Sequence, residues 1–205
     1  MKPKRTKVAK NNMDIIYGLI IGDGTLYKSA RGNALLDIAH CPEQLGYLEW
    51  KEAKLIEFGF NASIKYKPPT VNSNFPKYRM MTNKDVFWTE IMAEMYSFRN
   101  TDQKKKKRIT KPILDKCTLR TLALWYLDDG YNNQNRNYVH LGTYGFSYEE
   151  NILIKDWILK LTGVEFKVYN RKGKYFLVSY EGANIFKEAL INSIDIPECM
   201  AYKFT

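Results

Sequence analysis

Two aspartates stand where apolar helical stretches run out: Asp23 in Ile15-Ile16-Tyr17-Gly18-Leu19-Ile20-Ile21-Gly22-Asp23-Gly24, and Asp129 in Leu122-Ala123-Leu124-Trp125-Tyr126-Leu127-Asp128-Asp129-Gly130. A carboxylate in the last turn of a helix faces the negative end of the macrodipole, unfavourable by roughly 0.3–1 kcal/mol. One such acid could be chance. Two in equivalent places point to a cation held between them.

The remaining composition says what such a cation could serve. The 205 residues are 45% hydrophobic, enough for a folded core, yet carry 32 Lys+Arg against 22 Asp+Glu, a formal charge of +10. A basic, folded chain with 15 Tyr, 10 Phe and 4 Trp reads as a polyanion binder, and nucleic acid is the usual polyanion. Cys41, Cys117 and Cys199 lie far apart without a CxxC, so neither a disulfide framework nor a zinc knuckle is expected, and a reducing intracellular setting follows. The apolar run Ile15–Ile21 is too short for a membrane span, and no secretory cleavage site follows the basic Met1–Lys10 stretch, which reads as a flexible basic arm.

The elements that must position the two acids occur twice in the same order. After Gly24 come strands at Thr25–Lys28 and Ala34–Ala39, an amphipathic helix over Pro42–Phe58 closed by Gly59, and strands at Ile64–Lys67 and Tyr78–Met81. A helix over Lys84–Ser97 ends that half. The second half repeats it with a strand at Tyr138–Thr143, a helix over Tyr148–Leu161 ended by Gly163, strands at Phe166–Asn170 and Tyr175–Ser179, and a helix over Ala183–Asn192. Asp129 follows Asp23 by 106 residues, Gly163 follows Gly59 by 104 and Phe186 follows Phe87 by 99, a period that means a duplicated domain. The expected fold class is α+β: two pseudo-twofold-related αββαββα half-domains, their opening helices meeting at the axis. The expected boundaries are an arm over 1–12, a first half-domain over 13–101, a basic linker over 102–117 and a second half-domain over 118–205. Gly18 and Gly22 permit close approach of the first helix; its partner carries Leu124 and Asp128 there, so the pair is not fully symmetric.

These residues resemble the LAGLIDADG homing endonucleases of the single-chain, two-motif, intron-encoded kind. Asp23 and Asp129 fall on the final acidic position of the family motif in Ile16–Gly24 and Leu122–Gly130. The stretches Leu141–Glu150 and Ile196–Lys203 are also similar, so the likeness spans residues 13–205. The resemblance implies a β-sheet saddle over double-stranded DNA, with the two motif acids beneath its minor groove. It further implies a monomeric, site-specific endonuclease hydrolysing one phosphodiester in each strand. Asp23 and Asp129 are hard oxygen ligands suited to Mg2+, with Mn2+ able to substitute. Backbone carbonyls of Gly22 and Asp128 complete the implied set, while the Asp128 side chain is either a ligand or an acid packing behind the ligands. The family's basic residue in each half matches Lys203 at the C-terminus, and in the Lys104–Arg108 run Lys107 is chosen, with Lys106 and Lys111 as alternatives.

DNA contacts are expected from Tyr27, Lys28, Arg31 and Asn33 around the first hairpin, and from Lys65, Lys67, Lys77 and Arg79 on the second. In the other half a donor-rich loop offers Asn132, Asn133, Gln134, Asn135, Arg136 and Asn137, and the last hairpin offers Lys167, Tyr169, Arg171, Lys172 and Lys174. Arg and Lys read guanine edges and Asn or Gln adenine, while other contacts only hold phosphates. His40 and His140 lack a His-Asn-His spacing and read as packing residues in strands. There is no Walker loop, and the Lys203-Phe204-Thr205 ending lacks the His-Asn of intein excision. The rival functions on the same scaffold are a maturase binding intron RNA and a non-cleaving DNA-binding regulator.

Overall fold

The computed structural model describes residues 5–30, 32–70, 74–98 and 105–205. Arg31, Lys104 and the first four residues of the arm, all named above, lie outside the described residues. In chain order the elements are α1 (Met13–Ile21), β1 (Thr25–Tyr27), β2 (Leu35–His40), α2 (Leu45–Glu57), β3 (Ala62–Lys67), β4 (Lys77–Thr82) and α3 (Val86–Met95). A small hairpin, β5 (Tyr96–Phe98) with β6 (Lys105–Lys107), and a short helix α4 (Lys111–Leu114) follow. Then come α5 (Leu119–Asp129), β7 (Gly130–Asn133), β8 (Tyr138–Leu141), α6 (Tyr148–Thr162), β9 (Lys167–Arg171), β10 (Lys174–Ser179), α7 (Ala183–Ile191) and a closing 3-10 turn (Glu198–Lys203). The order αββαββα thus appears twice, and the two four-stranded antiparallel sheets share one topology, β1-β2-β4-β3 and β7-β8-β10-β9.

The chain divides into two compact units. The first holds Asp23–Glu94, the N-terminal stretch up to Met13 and Pro197–Met200. Its sheet buries Leu36, Ile38 and Met80 on one face, where α2 contributes Tyr47, Leu48 and Leu55. Trp88 of α3 stacks on Phe60 at 4.4 Å between centroids. Asp85 starts α3 by accepting from the Phe87 amide at 2.8 Å, and the same carboxylate accepts from the Thr6 hydroxyl at 2.8 Å and the Thr6 amide at 3.1 Å. Thr6 is buried. The expectation of a flexible arm therefore fails from Arg5 onward: a capping carboxylate with spare lone pairs fastens the tail to its unit.

The second unit holds Asp14–Gly22, Met95–Ile196 and Ala201–Thr205. Helix α1 belongs to it because its glycine face packs on α5 in parallel. A methyl group built on Gly18 would lie 2.9 Å from Leu124 Cδ1 and 3.2 Å from Thr121 Cα. On Gly22 it would lie 2.2 Å from Asp128 Oδ2. The missing side chains, expected from the sequence, are what let these helices touch. At the opposite end Arg120 donates to both oxygens of buried Asp14, at 2.8 and 2.9 Å, and Thr118 Oγ1 donates to Asp14 Oδ2 at 2.5 Å. Thr118 with Thr121 also forms a capping box that starts α5, as Ser147 with Glu150 starts α6. Gly163 ends α6 at φ +71°, the left-handed conformation glycine tolerates. Between β9 and β10, Lys172 and Gly173 both take positive φ, which makes the two-residue turn suited to a twisted hairpin.

Three boundaries differ from expectation. The helix foreseen to Ser97 stops at Met95, and Tyr96 and Ser97 enter β5. The lysine run is not a bare linker, since Lys105–Lys107 pairs with Tyr96–Phe98. The donor-rich loop is shorter than foreseen: Asn132 and Asn133 belong to β7, leaving a 3-10 turn at Gln134–Arg136 and Asn137 in the left-handed region. No helix among the described residues is long and apolar enough to cross a membrane.

Candidate active site

The C-terminal ends of α1 and α5 each carry an exposed motif acid and each receive a lysine. At α1, Gly22 closes the helix by donating to Gly18 O at 3.1 Å, and Asp23 follows it, exposed. Strand β6 delivers Lys107, whose Nζ donates to Gly22 O at 2.6 Å and Ile21 O at 3.3 Å. At α5, Asp129 is the last helical residue and is exposed, while Asp128 is half-buried against Gly22. Lys203 arrives from the closing 3-10 turn, with Nζ 2.7 Å from Gly130 O and 3.5 Å from Asp128 O. That turn is pinned by the Tyr126 hydroxyl, which donates to Lys203 O at 3.3 Å, and by Phe204 packed 5.5 Å from the Tyr126 ring. Burial pushes the Tyr126 hydroxyl far above its ordinary pKa, so it remains a donor throughout the working range.

Both ammonium groups lie where helix carbonyls accumulate partial negative charge, a placement typically worth about 0.3–1 kcal/mol. Of the three lysines weighed in the linker, Lys107 reaches the motif, Lys111 pairs with Asp115 at 3.1 Å, and Lys106 is half-buried in β6. The helix ends are thus suited to cations: each offers a carboxylate and backbone carbonyls, and the imidazole of His40 also lies close to Asp23. That set fits magnesium or manganese and lacks the sulfur or clustered imidazole that favours zinc. Gly22 O, named as a metal ligand, is engaged by Lys107, and Asp128 O lies near Lys203.

One neighbour of Asp23 was read from sequence only as packing. His40, buried at the end of β2, places Nδ1 3.6 Å from Asp23 Oδ2 and 3.0 Å from Gln44 Oε1. Its Nε2 lies 3.0 Å from the ammonium of Lys51, a fully buried side chain that also sits 4.1 Å above the Tyr47 ring. An ammonium only donates, so Nε2 accepts and the proton is on Nδ1, which donates to Gln44 Oε1 and leaves the ring edge beside Asp23. A histidine 17 residues after the motif acid, two strands on, was the available signal.

The foreseen DNA contacts divide between the two sheets. In the first unit Tyr27, Lys28, Lys65, Lys67 and Lys77 are exposed and Asn33 is half-buried. Arg79 is already held: its Nε donates to Asp37 Oδ1 at 2.7 Å and its terminal nitrogen to Asp37 Oδ2, and this partner raises the guanidinium pKa. In the second unit Gln134, Asn135, Arg136, Lys167, Tyr169, Arg171, Lys172 and Lys174 are exposed. Asn132 instead ties β7 to the C-terminus by donating to Thr205 O at 2.7 Å, and Asn133 accepts from the Arg136 amide at 3.0 Å to shape the turn. Exposed Tyr131, Tyr144 and Tyr180, which the sequence reading passed over, stand on the same open face.

A duplicated αββαββα fold with an acid closing each opening helix defines a class, and residues 13–186 match the LAGLIDADG DNA endonuclease family; the chain belongs to that family. It is 28% identical over 215 residues to the probable intron-encoded endonuclease 1 of Wickerhamomyces canadensis, covering 98% of this chain and 87% of that protein. It is 24% identical over 210 residues to the RecA protein of Mycobacterium gastri, covering 93% of this chain and 46% of the longer protein. Among solved structures, the homing endonuclease I-WcaI bound to its DNA recognition sequence superposes with a TM-score of 0.78 at 20% identity, over 98% of this chain and 88% of that one. A variant of I-DmoI in complex with nicked target DNA in the presence of manganese gives a TM-score of 0.56 at 17% identity, over 91% and 98%. At these identities the structural likenesses establish the fold.

Proposed function

We propose that this chain is a site-specific homing endonuclease that, as a monomer, hydrolyses one phosphodiester in each strand of a DNA duplex. The supporting observation is the recurrence at both motif ends of an exposed acid beside a lysine-capped helix terminus: Asp23 with Lys107 on Gly22 O, and Asp129 with Lys203 on Gly130 O. One acid and one ammonium per half matches one cut per strand. Asp23 and Asp129 are the carboxylates that would hold divalent metal, magnesium by preference with manganese as substitute. The bound ion would supply an activated water and charge neutralisation at the scissile phosphate. Lys107 and Lys203 keep their ammonium groups at the helix ends, where they donate to the water and phosphate oxygens and offset charge that builds during the reaction. Asp128, seated against Gly22, sets the helix spacing and supports the ligands from behind. The reading has support from the intron-encoded relative and from DNA-bound neighbours of the same fold. A protein with this role would act inside the cell, with the DNA it cuts. The test is selection of cleaved molecules from a randomised duplex library incubated with magnesium, with EDTA as control. Recovery of a double-strand break at one consensus is expected; a library left intact in magnesium would contradict the proposal.

A further inference from the structure

The two sheets present different chemistry on their open faces. Side chains alternate across a strand, so residues paired in register on one face form rows across the sheet. In the first unit such rows run Thr25–Asp37–Met81–Ser63 and Ala39–Arg79–Lys65, with the Asp37–Arg79 ion pair at their centre. In the second unit one row runs Tyr131–His140–Val178–Lys167, and beside it Phe176 faces Tyr169. Tyr144 and Tyr180 extend this face beyond the strands. Tyr131, Tyr144 and Tyr180 are each about half exposed, and Tyr169 is 37% exposed.

These rings line a hollow of about 340 Å³. His140, Tyr144 and Phe176 pack within 5.9 Å of one another, tilted by 45°, 64° and 48°, and Tyr169 stacks on Phe176 at 5.7 Å and 20°. Rings that cover each other in this way present edges and notches between them, which suit a small apolar group. Burial lowers the pKa of His140, which keeps that ring uncharged at neutral pH, and Arg171 completes the lining. Its rim is cationic, with Lys167, Arg171, Lys172 and Lys174 all exposed. An apolar hollow inside a positive rim complements a polyanion that carries a protruding apolar group. In the major groove that group is the C5-methyl of thymine.

We propose that the second unit recognises its half of the target through thymine methyl groups seated among Tyr131, Tyr144 and Tyr169, whereas the first unit reads its half through the Asp37-oriented Arg79. The inference rests on the endonuclease reading and adds the chemistry of one half-site. Arg79, held in a fixed plane, is fitted to a guanine edge.

The experiment takes the target recovered by library selection and replaces thymine with deoxyuridine in one half at a time, which removes only the methyl groups. Binding is measured for wild type, Tyr144→Ala, Tyr169→Ala and their Phe counterparts; the sites are exposed, and circular dichroism checks the fold. Uracil in one half is expected to weaken wild-type binding about fourfold per seated methyl, the value of one such group removed from water. The Ala variants should lose that discrimination and the Phe variants keep it. A half-site without thymine, uracil tolerated in both halves, or discrimination unchanged in the Ala variants would each overturn the proposal. Tyr variants that bind and cut as wild type would reassign the hollow to a partner other than DNA. A library yielding no bound or cleaved duplex would remove the endonuclease reading, and this inference with it.

Discussion

Asp23 does not meet solvent alone: the ring of His40 stands 3.6 Å from it, held in place by Gln44 on Nδ1 and by Lys51 on Nε2. A fixed ring beside an acid that must hold one orientation reduces the disorder of the ligand, and outer partners of this kind typically contribute about 10- to 100-fold to affinity or activity. His40→Ala is therefore expected to lower cleavage in that range while Asp23 stays in place, with a smaller loss in His40→Gln, read from single-turnover rates. His140 behaves differently. Burial holds its pKa below the ordinary 6.5, so in mild acid the unfolded chain binds a proton that the folded chain does not. Stability from this residue is complete above about pH 6.5 and declines as pH falls toward the folded pKa. Thermal unfolding of His140→Gln should lose that part of the acid-side decline between pH 7 and 5; an unchanged profile would contradict it. The two acids were legible because a carboxylate at a helix end is a local anomaly. His40 was not, since a histidine in a strand reads as core and only the packed sheet brings Nδ1 to Asp23.

Helices α1 and α5 pack through two glycines, and the tolerances are small. Alanine at Gly18 would favour an isolated helix by about 1 kcal/mol. Its methyl, however, meets Thr121 Cα at 3.2 Å and Leu124 Cβ at 3.0 Å, and neither is a flexible side-chain end. Overpacking of this kind costs about 1–3 kcal/mol, so Gly18→Ala should lower the chemical-denaturation midpoint; a stabilised variant would contradict the parallel packing. Glycine spacing and the Gly163 helix end were readable because they act within one turn. The β5–β6 hairpin was not. Lysine is depleted in strands, and Lys105–Lys107 takes that form only because Tyr96–Phe98, itself foreseen as the end of a helix, pairs with it. The same pairing turns a run that looked like solvated linker into the element that carries Lys107 to Gly22. Likewise β7 was missed because Asn-rich strands carry no apolar alternation, and Asn132 is held by the chain terminus.

Across the whole chain, a formal charge of +10 on 205 residues is large enough to govern association with a polyanion. With several Lys and Arg on each sheet's open face and hairpin, neutralising about six phosphates would give a slope near −5 in log affinity against log salt, about 10³-fold between 50 and 200 mM. Fluorescence anisotropy on the selected duplex over that range measures it, and a slope near zero would mean that the basic faces are not the DNA surface. The duplication was the most legible feature at this scale, since one order of elements recurs with nearly constant spacing. The sequence period did not reveal that α1 packs with the second unit, because helix assignment follows surface contact and not chain order.

The central claim is that Asp23 and Asp129 each serve cleavage with divalent metal. It is tested by digestion of a plasmid carrying the duplex recovered by library selection. Wild type, Asp23→Asn and Asp129→Asn are compared in magnesium and in EDTA, with circular dichroism confirming that all three fold. Wild type should give a metal-dependent linear product that both variants lose. Linear product from either variant at the wild-type rate, or from wild type in EDTA, would contradict it.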